Sequence, residues 1–457
     1  MAVLAVALAS CGGGTPPPST SDPGGTGERI SGNERLGWNQ AATGAGELAA
    51  FRYAAYVDGT RVELADVACT GPVGGTAPCS SRMPAMSPGA HTIELASFVT
   101  DGATVIESSK SAALRVTVTG ATAGNPVPTP PSDSARQLLT TDGVELWLDV
   151  LSDQISGATA MAVAADGRVF IAERAGRVRI VLDGALDPEP AIAIDEAVMT
   201  GETEGGLLAL VLDKQFAHTH FVFVAYTMLG PDGSAQFRVV RYREVAGRFG
   251  ERAVILDRIA ASPRPSALLG IGPDGRLYAA FDAGPVGGRT AALASYNGKI
   301  LRLDIDGTTP SDQPSGSPVF ASAFQSPRGL DWHPETGTLW VVDAKSRNVE
   351  ELRIVVSDRN AGPESTRVSM SLPARTGVSA LAFYRGTLPA LAGDLFVAAE
   401  EGRHLLRLRF DKRDATRLLS TERLLQDANS PIRAVASGAD GVVLVATDRA
   451  LLRLGPR

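Results

Sequence analysis

The sequence predicts an all-β protein in which a six-bladed β-propeller follows an N-terminal β-sandwich. Short apolar runs separated by turn residues recur through residues 142–457, in about six copies. In the clearest copy, an apolar run is followed by G-P-D-G from Gly272 and by a second apolar run from Leu277. Proline presets φ and glycine accepts a positive φ, so this tetrapeptide is typical of a tight turn between antiparallel strands.

Composition and charge restrict the classes of function. The chain has 457 residues, 44% of them hydrophobic, and a formal net charge of −7. It is therefore long enough for two domains and apolar enough for a substantial core. The sequence lacks runs of Lys or Arg, which argues against binding to nucleic acid or to an anionic membrane surface.

Residues 1–11 resemble a bacterial lipoprotein signal. Their apolar run is too short to span a bilayer but suits the apolar region of a secretory signal. Small residues then precede Cys11, as in a lipobox. The resemblance implies a lipid on the Cys11 sulfur and an extracytoplasmic protein anchored to a bacterial membrane; a plain signal peptide is the alternative. Residues 12–27, rich in Gly, Pro and Ser, are predicted to be a flexible tether.

Residues 28–120 have the size of one β-sandwich domain. A D-G turn at Asp58 lies between alternating segments, and further strand-like runs begin at His91 and Ser111. The arrangement resembles a fibronectin type III-like module. This resemblance carries no assignment of function.

Cys69 and Cys79 are predicted to form a disulfide. An exported protein meets oxidising conditions, and no histidine or second cysteine pair with metal-ligand spacing lies nearby. Two free thiols or a metal pair are the alternatives. The proline-rich residues 121–141 are predicted to be a semi-rigid linker to the propeller, which then comprises residues 142–457.

Several motifs in residues 143–456 resemble those of the soluble PQQ-dependent glucose/sorbosone (aldose sugar) dehydrogenases. The matching segments are E-G-G-L-L-A-L-V-L-D-K-Q-F from Glu204, G-P-D-G-R-L-Y from Gly272, G-K-I-L-R-L-D from Gly298, P-R-G-L-D-W-H-P-E-T-G-T-L-W from Pro327, A-F-Y-R-G from Ala382, G-D-L-F-V-A from Gly393 and I-R-A-V from Ile432. The resemblance implies PQQ and Ca²⁺ on the axial face of the propeller. It also implies oxidation of the C1 hydroxyl of a sugar, with a histidine as general base.

Three segments depart from the family pattern where the resemblance places its chemistry. Arg264 stands at the position of the catalytic histidine, and arginine has no lone pair with which to accept a proton at neutral pH. Gln325 replaces a cofactor-binding arginine. Residues 343–351 replace a calcium loop that contains Gly-Pro, and Lys345 adds a positive charge there. These departures favour a propeller that binds no quinone cofactor and no metal.

Three further residues are candidate cofactor contacts through the resemblance. Glu204 opens the matched G-G-L-L segment, Asp282 follows a predicted strand, and Arg433 stands where the family has a cofactor-binding arginine. A surface ion pair is the alternative for Arg433, and a structural role in a turn is the alternative for Asp282.

Two functions follow from these motifs. The first is an exported lipoprotein whose propeller has lost the quinone chemistry and binds a sugar, a cell-envelope glycan or a protein. The alternative is an active PQQ- and calcium-dependent aldose sugar dehydrogenase. His218 and His220 form an H-x-H pair just before a predicted strand and could bind a metal, since alternate residues share a face. Trp332 and Trp340 are predicted to pack between blades.

Overall fold

The computed structural model describes residues 3–7, 28–30, 35–64, 67–72, 74–84, 86, 89–101, 104–118, 135–198, 205–285, 295–313, 316–355, 366–438 and 441–456. The chain divides into two compact units, Met1–Gly124 and Asn125–Arg457. None of the helices in the described ranges has the length and hydropathy needed to cross a membrane. Cys11, the predicted site of lipid attachment, lies outside the described residues.

In its described part, the first unit consists of two β-sheets and one short helix, α1 (Ala45–Ala50). In sheet order, the first sheet contains β1 (Val3–Ala7), β3 (Arg35–Ala41), β7 (Thr76–Arg82) and β6 (Ala68–Cys69). The second contains β2 (Glu28–Ile30), β10 (Leu114–Val118), β8 (Gly89–Asp101), β4 (Arg52–Val57) and β5 (Thr60–Leu64), with β9 (Thr104–Glu107) also beside β8.

The two sheets share one hydrophobic core. Leu36 and Trp38 from the first sheet pack with Tyr53, Ile93 and Leu95 from the second. The rings of Trp38 and Tyr53 lie 4.9 Å apart between centroids. This packing confirms the predicted β-sandwich, whereas its likeness to a fibronectin type III module stays a prediction.

Cys69 and Cys79 face each other on β6 and β7, and their sulfur atoms are bonded. Cys79 belongs to the core of the sandwich. Val3–Ala7, within the predicted signal, pairs in parallel with β3. Removal of residues 1–11 as a signal stays a prediction.

The second unit forms six antiparallel β-sheets within its described residues, and each sheet is one blade. Blade 1 contains β13 (Ala158–Val163), β14 (Val169–Glu173), β15 (Arg177–Leu182), β16 (Ala185–Leu186) and β17 (Ile192–Ala193). Blade 2 contains β18 (Leu207–Leu212), β19 (Phe221–Leu229), β20 (Ala235–Val245) and β21 (Arg248–Ala260), with helix α2 (Phe216–Thr219) between the first two strands. Blade 3 contains β22 (Ala267–Ile271), β23 (Leu277–Phe281), β24 (Ile300–Leu303) and β25 (Val319–Ala321).

The remaining three blades follow in chain order. Blade 4 contains β26 (Pro327–Trp332), β27 (Leu339–Ser346), β28 (Val349–Val355) and β29 (Thr366–Ser371). Blade 5 contains β30 (Val378–Phe383), β31 (Leu395–Ala399), β32 (His404–Phe410) and β33 (Leu418–Leu424), followed by a 3₁₀ helix, Gln426–Ala428. Blade 6 contains β34 (Ile432–Ser437), β35 (Val443–Thr447) and β36 (Leu451–Gly455), completed by β12 (Glu145–Ser152) and β11 (Arg136–Leu139).

The first strands of the six blades contact each other in a closed ring, in the order β13, β18, β22, β26, β30 and β34. The ring is closed within blade 6, where β12 from the start of the unit pairs with β36 from its end. Six blades around an axis confirm the predicted propeller.

One predicted boundary is wrong. The linker was expected to extend over residues 121–141, but Arg136–Leu139 forms the outermost strand of blade 6. These residues pair with β12, and Leu138 packs against the hydrophobic core of that blade. The propeller therefore begins upstream of residue 142.

The two predicted tryptophan positions lie at contacts between blades. Trp332 of blade 4 packs edge-on against Tyr278 of blade 3, with 5.0 Å between ring centroids. Trp340 of blade 4 packs against Phe383 of blade 5 at 5.5 Å. The predicted turn at G-P-D-G is also present, with Gly275 at φ +75° and its N–H donating to the carbonyl of Gly272.

Candidate functional site

A cavity of about 360 Å³ lies beside the inner strands of blades 3, 4 and 5. Segments that lead into the first strand of each blade supply Ser262, Arg264, Gln325, Ser326 and Gly377. Connections between second and third strands supply Asp282, Ala283, Gly284, Arg347, Glu400 and Glu401, and the strands themselves supply Arg328, Ala344, Lys345, Ser346, Glu350 and Val378. In an antiparallel blade, the start of the first strand and the end of the second lie at the same end. All these segments therefore meet on one face of the propeller.

Asp282 organises the blade 3 side of the cavity. Its Oδ2 accepts hydrogen bonds from the Ser266 N–H at 2.8 Å and the Ser262 hydroxyl at 3.0 Å, and its Oδ1 accepts one from the Gly284 N–H at 2.8 Å. Only 2% of Asp282 is exposed, and this burial raises the pKa of its carboxyl group, although the Ser266 and Gly284 hydrogen bonds oppose the rise. The carboxylate thus joins the loop that contains Arg264 to the loop that contains Gly284.

Asp343 has the same role in blade 4. It is fully buried, and its carboxylate accepts hydrogen bonds from the Gln325 N–H at 3.0 Å and the Ser326 N–H at 2.8 Å. The Lys345 ammonium lies 2.6 Å from Asp343 Oδ2. Asp343 therefore fixes the loop that presents Gln325 and Ser326 and also neutralises Lys345.

Residues 343–351 form a tight hairpin. Asp343 lies opposite Glu351, Ala344 opposite Glu350, and Ser346 opposite Val349 across β27 and β28. The backbone in this segment is thus paired within the sheet.

The remaining lining carboxylates also have partners. Glu350 accepts hydrogen bonds from the Gly377 N–H at 3.0 Å and the Val378 N–H at 2.7 Å, one on each oxygen. Burial raises the pKa of Glu350, although these two hydrogen bonds oppose the rise. Glu401 accepts a hydrogen bond from Arg347 Nε at 3.0 Å.

Arg433 does not line the cavity itself. Its guanidinium forms an ion pair with Glu400, which does line the cavity, and Nε donates to Asp448 Oδ1 at 2.7 Å. The surface ion pair that was the alternative for this residue is therefore present, and Arg433 reaches the cavity only through Glu400.

The structure brings three of the five predicted catalytic and cofactor residues, Arg264, Asp282 and Gln325, to one cavity. Glu204 lies outside the described residues. The sequence reasoning missed Arg328, which stands two positions after Ser326 and also lines the cavity. Residues two positions apart share a face of an extended segment, so the S-P-R sequence could have identified Arg328 as a neighbour of Ser326.

The H-x-H pair precedes strand β19, as predicted. His218 is within α2, and His220 follows it, with Nδ1 3.3 Å from Glu244 Oε2. Within the ranges that the structure describes, no group of three or more His, Cys, Asp or Glu side chains could hold a metal ion. The two histidines lie in and after a helix, so they do not share a face by strand alternation.

Comparisons with known proteins agree with this architecture. The model of the Glucose / Sorbosone dehydrogenase family matches residues 156–371 and 364–454. The uncharacterized protein slr1608 of Synechocystis sp. is 28% identical over 391 residues, which cover 73% of this chain and 92% of that protein. The aldose sugar dehydrogenase YliI of Escherichia coli is 25% identical over 350 residues, which cover 68% of this chain and 93% of that protein.

A solved structure adds evidence of shared fold. The PQQ-bound aldose sugar dehydrogenase of Streptomyces coelicolor superposes with a TM-score of 0.56 at 19% identity, over 68% of this chain and 98% of that one. At this identity, the likeness concerns the fold alone. The family model spans well over half of the sequence, and the chain therefore belongs to the glucose/sorbosone dehydrogenase family.

Proposed function

We propose that the propeller binds a sugar or a cell-envelope glycan in the cavity of blades 3 to 5 and does not oxidise it. The volume of about 360 Å³ is in the range of small-molecule sites, and the lining is rich in polar side chains. Relatives described as aldose sugar dehydrogenases support a carbohydrate as the ligand class. The observation that carries the proposal is that Arg264, which the motif comparison assigns to the position of the family's general base, lines the cavity.

No other lining group is placed to replace that base. Among the described lining residues there is no histidine. Asp282 and Glu350 have both oxygens engaged by hydrogen-bond donors of the protein. Glu400 and Glu401 are paired with arginines. A general base needs a lone pair within hydrogen-bond reach of the proton it removes.

The described residues also do not fit a quinone and a calcium ion. The two strands of the hairpin at residues 343–351 pair with each other in the sheet, and the Lys345 ammonium forms an ion pair with the Asp343 carboxylate. A cation beside Lys345 would meet a like charge. Gln325 supplies no positive charge, and Arg433 is already held by Glu400 and Asp448. We therefore derive no oxidation step for this chain.

An active PQQ- and calcium-dependent aldose sugar dehydrogenase is the second candidate. Family membership favours it, as does the positive charge of Arg264 and Arg328 beside the cavity, since PQQ carries carboxylates. The two candidates differ in one measurable respect, because only the second consumes sugar in the presence of an electron acceptor.

Calorimetric titration of the full chain with mono- and oligosaccharides tests the binding proposal. We expect saturable binding that Gln325→Trp abolishes, because this exposed residue lines the cavity and a large ring there would fill it. Gln154→Trp, at an exposed glutamine outside the cavity, should bind like the wild type. Equal binding by both variants, or no binding by the wild type, would contradict the proposal.

We also propose that the protein is extracytoplasmic and held to a bacterial membrane by a lipid on Cys11, with residues 12–27 as the tether. The support is the L-A-S-C sequence followed by a Gly-, Pro- and Ser-rich segment. Intact-mass analysis of the membrane fraction of the native host should show a diacylglycerol-modified N-terminal Cys11. A soluble protein that begins elsewhere would rule this out.

A further inference from the structure

The negative charges that line the cavity are all engaged within the protein. Asp282 and Glu350 accept backbone hydrogen bonds on both oxygens, Glu400 pairs with Arg433, and Glu401 pairs with Arg347. Each of these four carboxylates thus already has a hydrogen-bond or ion-pair partner within the protein.

Two positively charged side chains in the same lining have no hydrogen bond or ion pair with any described residue. Arg264 and Arg328 make no hydrogen bond and no ion pair with any residue that the structure describes, and both line the cavity. Arg264 is exposed, whereas Arg328 is half-buried. Arg328 lies close enough to Asp282 and Glu350 for its charge to favour the ionised form of both carboxylates.

Neutral donors accompany the two guanidinium groups. The hydroxyl oxygen of Ser326 is buried and has no hydrogen-bond partner among the described residues. The side-chain amide of Gln325 likewise has no partner within the described part of the chain. A buried hydroxyl without a partner costs roughly 1–3 kcal/mol, so a hydrogen-bonding ligand would relieve this cost. Ser326 and Arg328 are two positions apart, and both line the same cavity.

We propose that the cavity binds the anionic oxygen group of an acidic saccharide, with Arg264 and Arg328 as the charged contacts and Ser326 as a neutral donor. This inference rests on the proposed function and specifies the ligand class for that site. A planar guanidinium donates two parallel hydrogen bonds to a carboxylate or a phosphate, and the negative charge strengthens these bonds in a way that a neutral sugar cannot. The two sources of the anionic group are a uronate carboxylate and a sugar phosphate.

Titration of the full chain with three probes tests the inference: glucuronate, glucose 6-phosphate and glucose. We expect at least one acidic probe to bind about 10- to 100-fold more tightly than glucose, as expected for hydrogen bonds to charged groups. The preference should weaken as salt is raised. Tighter binding of glucuronate identifies the carboxylate as the source, and tighter binding of glucose 6-phosphate identifies the phosphate.

Variants connect the preference to these residues. Arg328→Ala and Arg264→Ala should each lower the affinity for the acidic probe by about tenfold or more, and by a larger factor than they lower the affinity for glucose. Arg328→Lys keeps the charge but lacks the planar fork, and should restore only part of the preference. Arg413→Ala, at an exposed arginine outside the cavity, is the matched control. Thermal unfolding of each variant establishes that the propeller is folded.

The outcomes separate the inference from the function on which it rests. If neutral glycans bind and Gln325→Trp abolishes their binding, but acidic probes bind no better, the inference is wrong and the proposed function stands. If Arg328→Ala binds the acidic probe as tightly as the wild type, the inference is also wrong. If no saccharide of any charge binds, both are wrong.

Discussion

Ser326 illustrates how a single residue can be unfavourable for folding and useful for binding. Its buried hydroxyl has no hydrogen-bond partner among the residues that the structure describes, whereas the nearby Ser266 hydroxyl donates to the carbonyl of Pro327. Two serines in adjoining loops thus differ in whether the fold itself uses their hydroxyl groups. A group that the fold leaves unused in a cavity is a candidate for ligand contact.

Ser326→Ala should therefore not lower the free energy of unfolding and should raise it by up to about 1 kcal/mol, because it removes a buried polar atom without a partner. Ser266→Ala is the matched control and should lower it by about 1 kcal/mol, since it leaves the Pro327 carbonyl without that donor. Denaturant unfolding measures both. Equal losses in the two variants would show that the Ser326 hydroxyl is already satisfied.

At the scale of the element, one kind of hydrogen bond between a side chain and the backbone recurs in blades 1 to 4. A polar side chain near the end of the second strand, or just after it, accepts a hydrogen bond from a backbone N–H that precedes the first strand. The pairs are Glu173 with Ser156, Thr227 with Gly206, Asp282 with Ser266, and Asp343 with Ser326. These hydrogen bonds fix the loops that carry Arg264, Gln325 and Ser326. The cavity is therefore built on supported loops.

Glu244 makes another contact between elements, here between blades 1 and 2. Burial alone would raise the pKa of Glu244, but hydrogen bonds from His220, Arg168 and Gly247 outweigh it and lower the pKa to about 2. A folded pKa below the ordinary value means that ionised Glu244 stabilises the fold above about pH 4.5, and that this contribution is lost as the pH falls toward 2.

We predict that Glu244→Gln lowers the free energy of unfolding at pH 7 by about 3 kcal/mol and that the difference from the wild type narrows below pH 4.5. Unfolding curves from pH 7 to 3 measure it. The control is Glu251→Gln, whose carboxylate pairs with Arg243 but has a side chain that is 64% exposed, so its effect should be small. A difference that stays constant with pH would contradict the role assigned to Glu244.

At the scale of the whole molecule, closure of the propeller depends on Arg407. This fully buried side chain contacts Asp394 at 2.6 Å, Asp142 at 2.7 Å and Glu422 at 3.3 Å. Asp142 lies just before β12, which closes the ring in blade 6, whereas the other three residues belong to blade 5. The buried ion cluster thus joins the closing segment to the neighbouring blade.

Arg407→Met should lower the free energy of unfolding by about 3–5 kcal/mol, because it leaves buried carboxylates without a counter-charge. Arg409→Met is the control: Arg409 is 34% exposed and contacts Asp142 at 3.3 Å, so its loss should cost less than about 1 kcal/mol. Denaturant unfolding of both variants is the measurement. Similar losses would contradict a special role for the buried cluster.

The features predictable from the sequence were those with a local signature. The turn at Gly272–Gly275 and the tryptophans between blades follow from residue type and nearest neighbours. Strand Arg136–Leu139 was missed because it is stabilised by a sheet that includes the C-terminal strands, some three hundred residues away in sequence.

The cavity was predictable only in part, for a related reason. Motif comparison identified Arg264, Asp282 and Gln325, since each lies at a position with a family pattern. It did not identify Arg328, whose significance depends on the absence of a partner among the described residues. Whether a charged side chain has a hydrogen-bond or ion-pair partner depends on the packed structure and cannot be read from the sequence.

The absence of quinone chemistry is the central claim, and reconstitution of the wild-type chain with PQQ and Ca²⁺ tests it most directly. The measurement is aldose-dependent reduction of a dye, with the PQQ-bound aldose sugar dehydrogenase of Streptomyces coelicolor as the positive control. We predict no turnover above that of a heat-inactivated sample. Arg264→His should also show none, because Gln325 remains neutral and Lys345 remains paired with Asp343 in that variant. A steady-state rate well above the inactivated sample in the wild-type protein would contradict the claim.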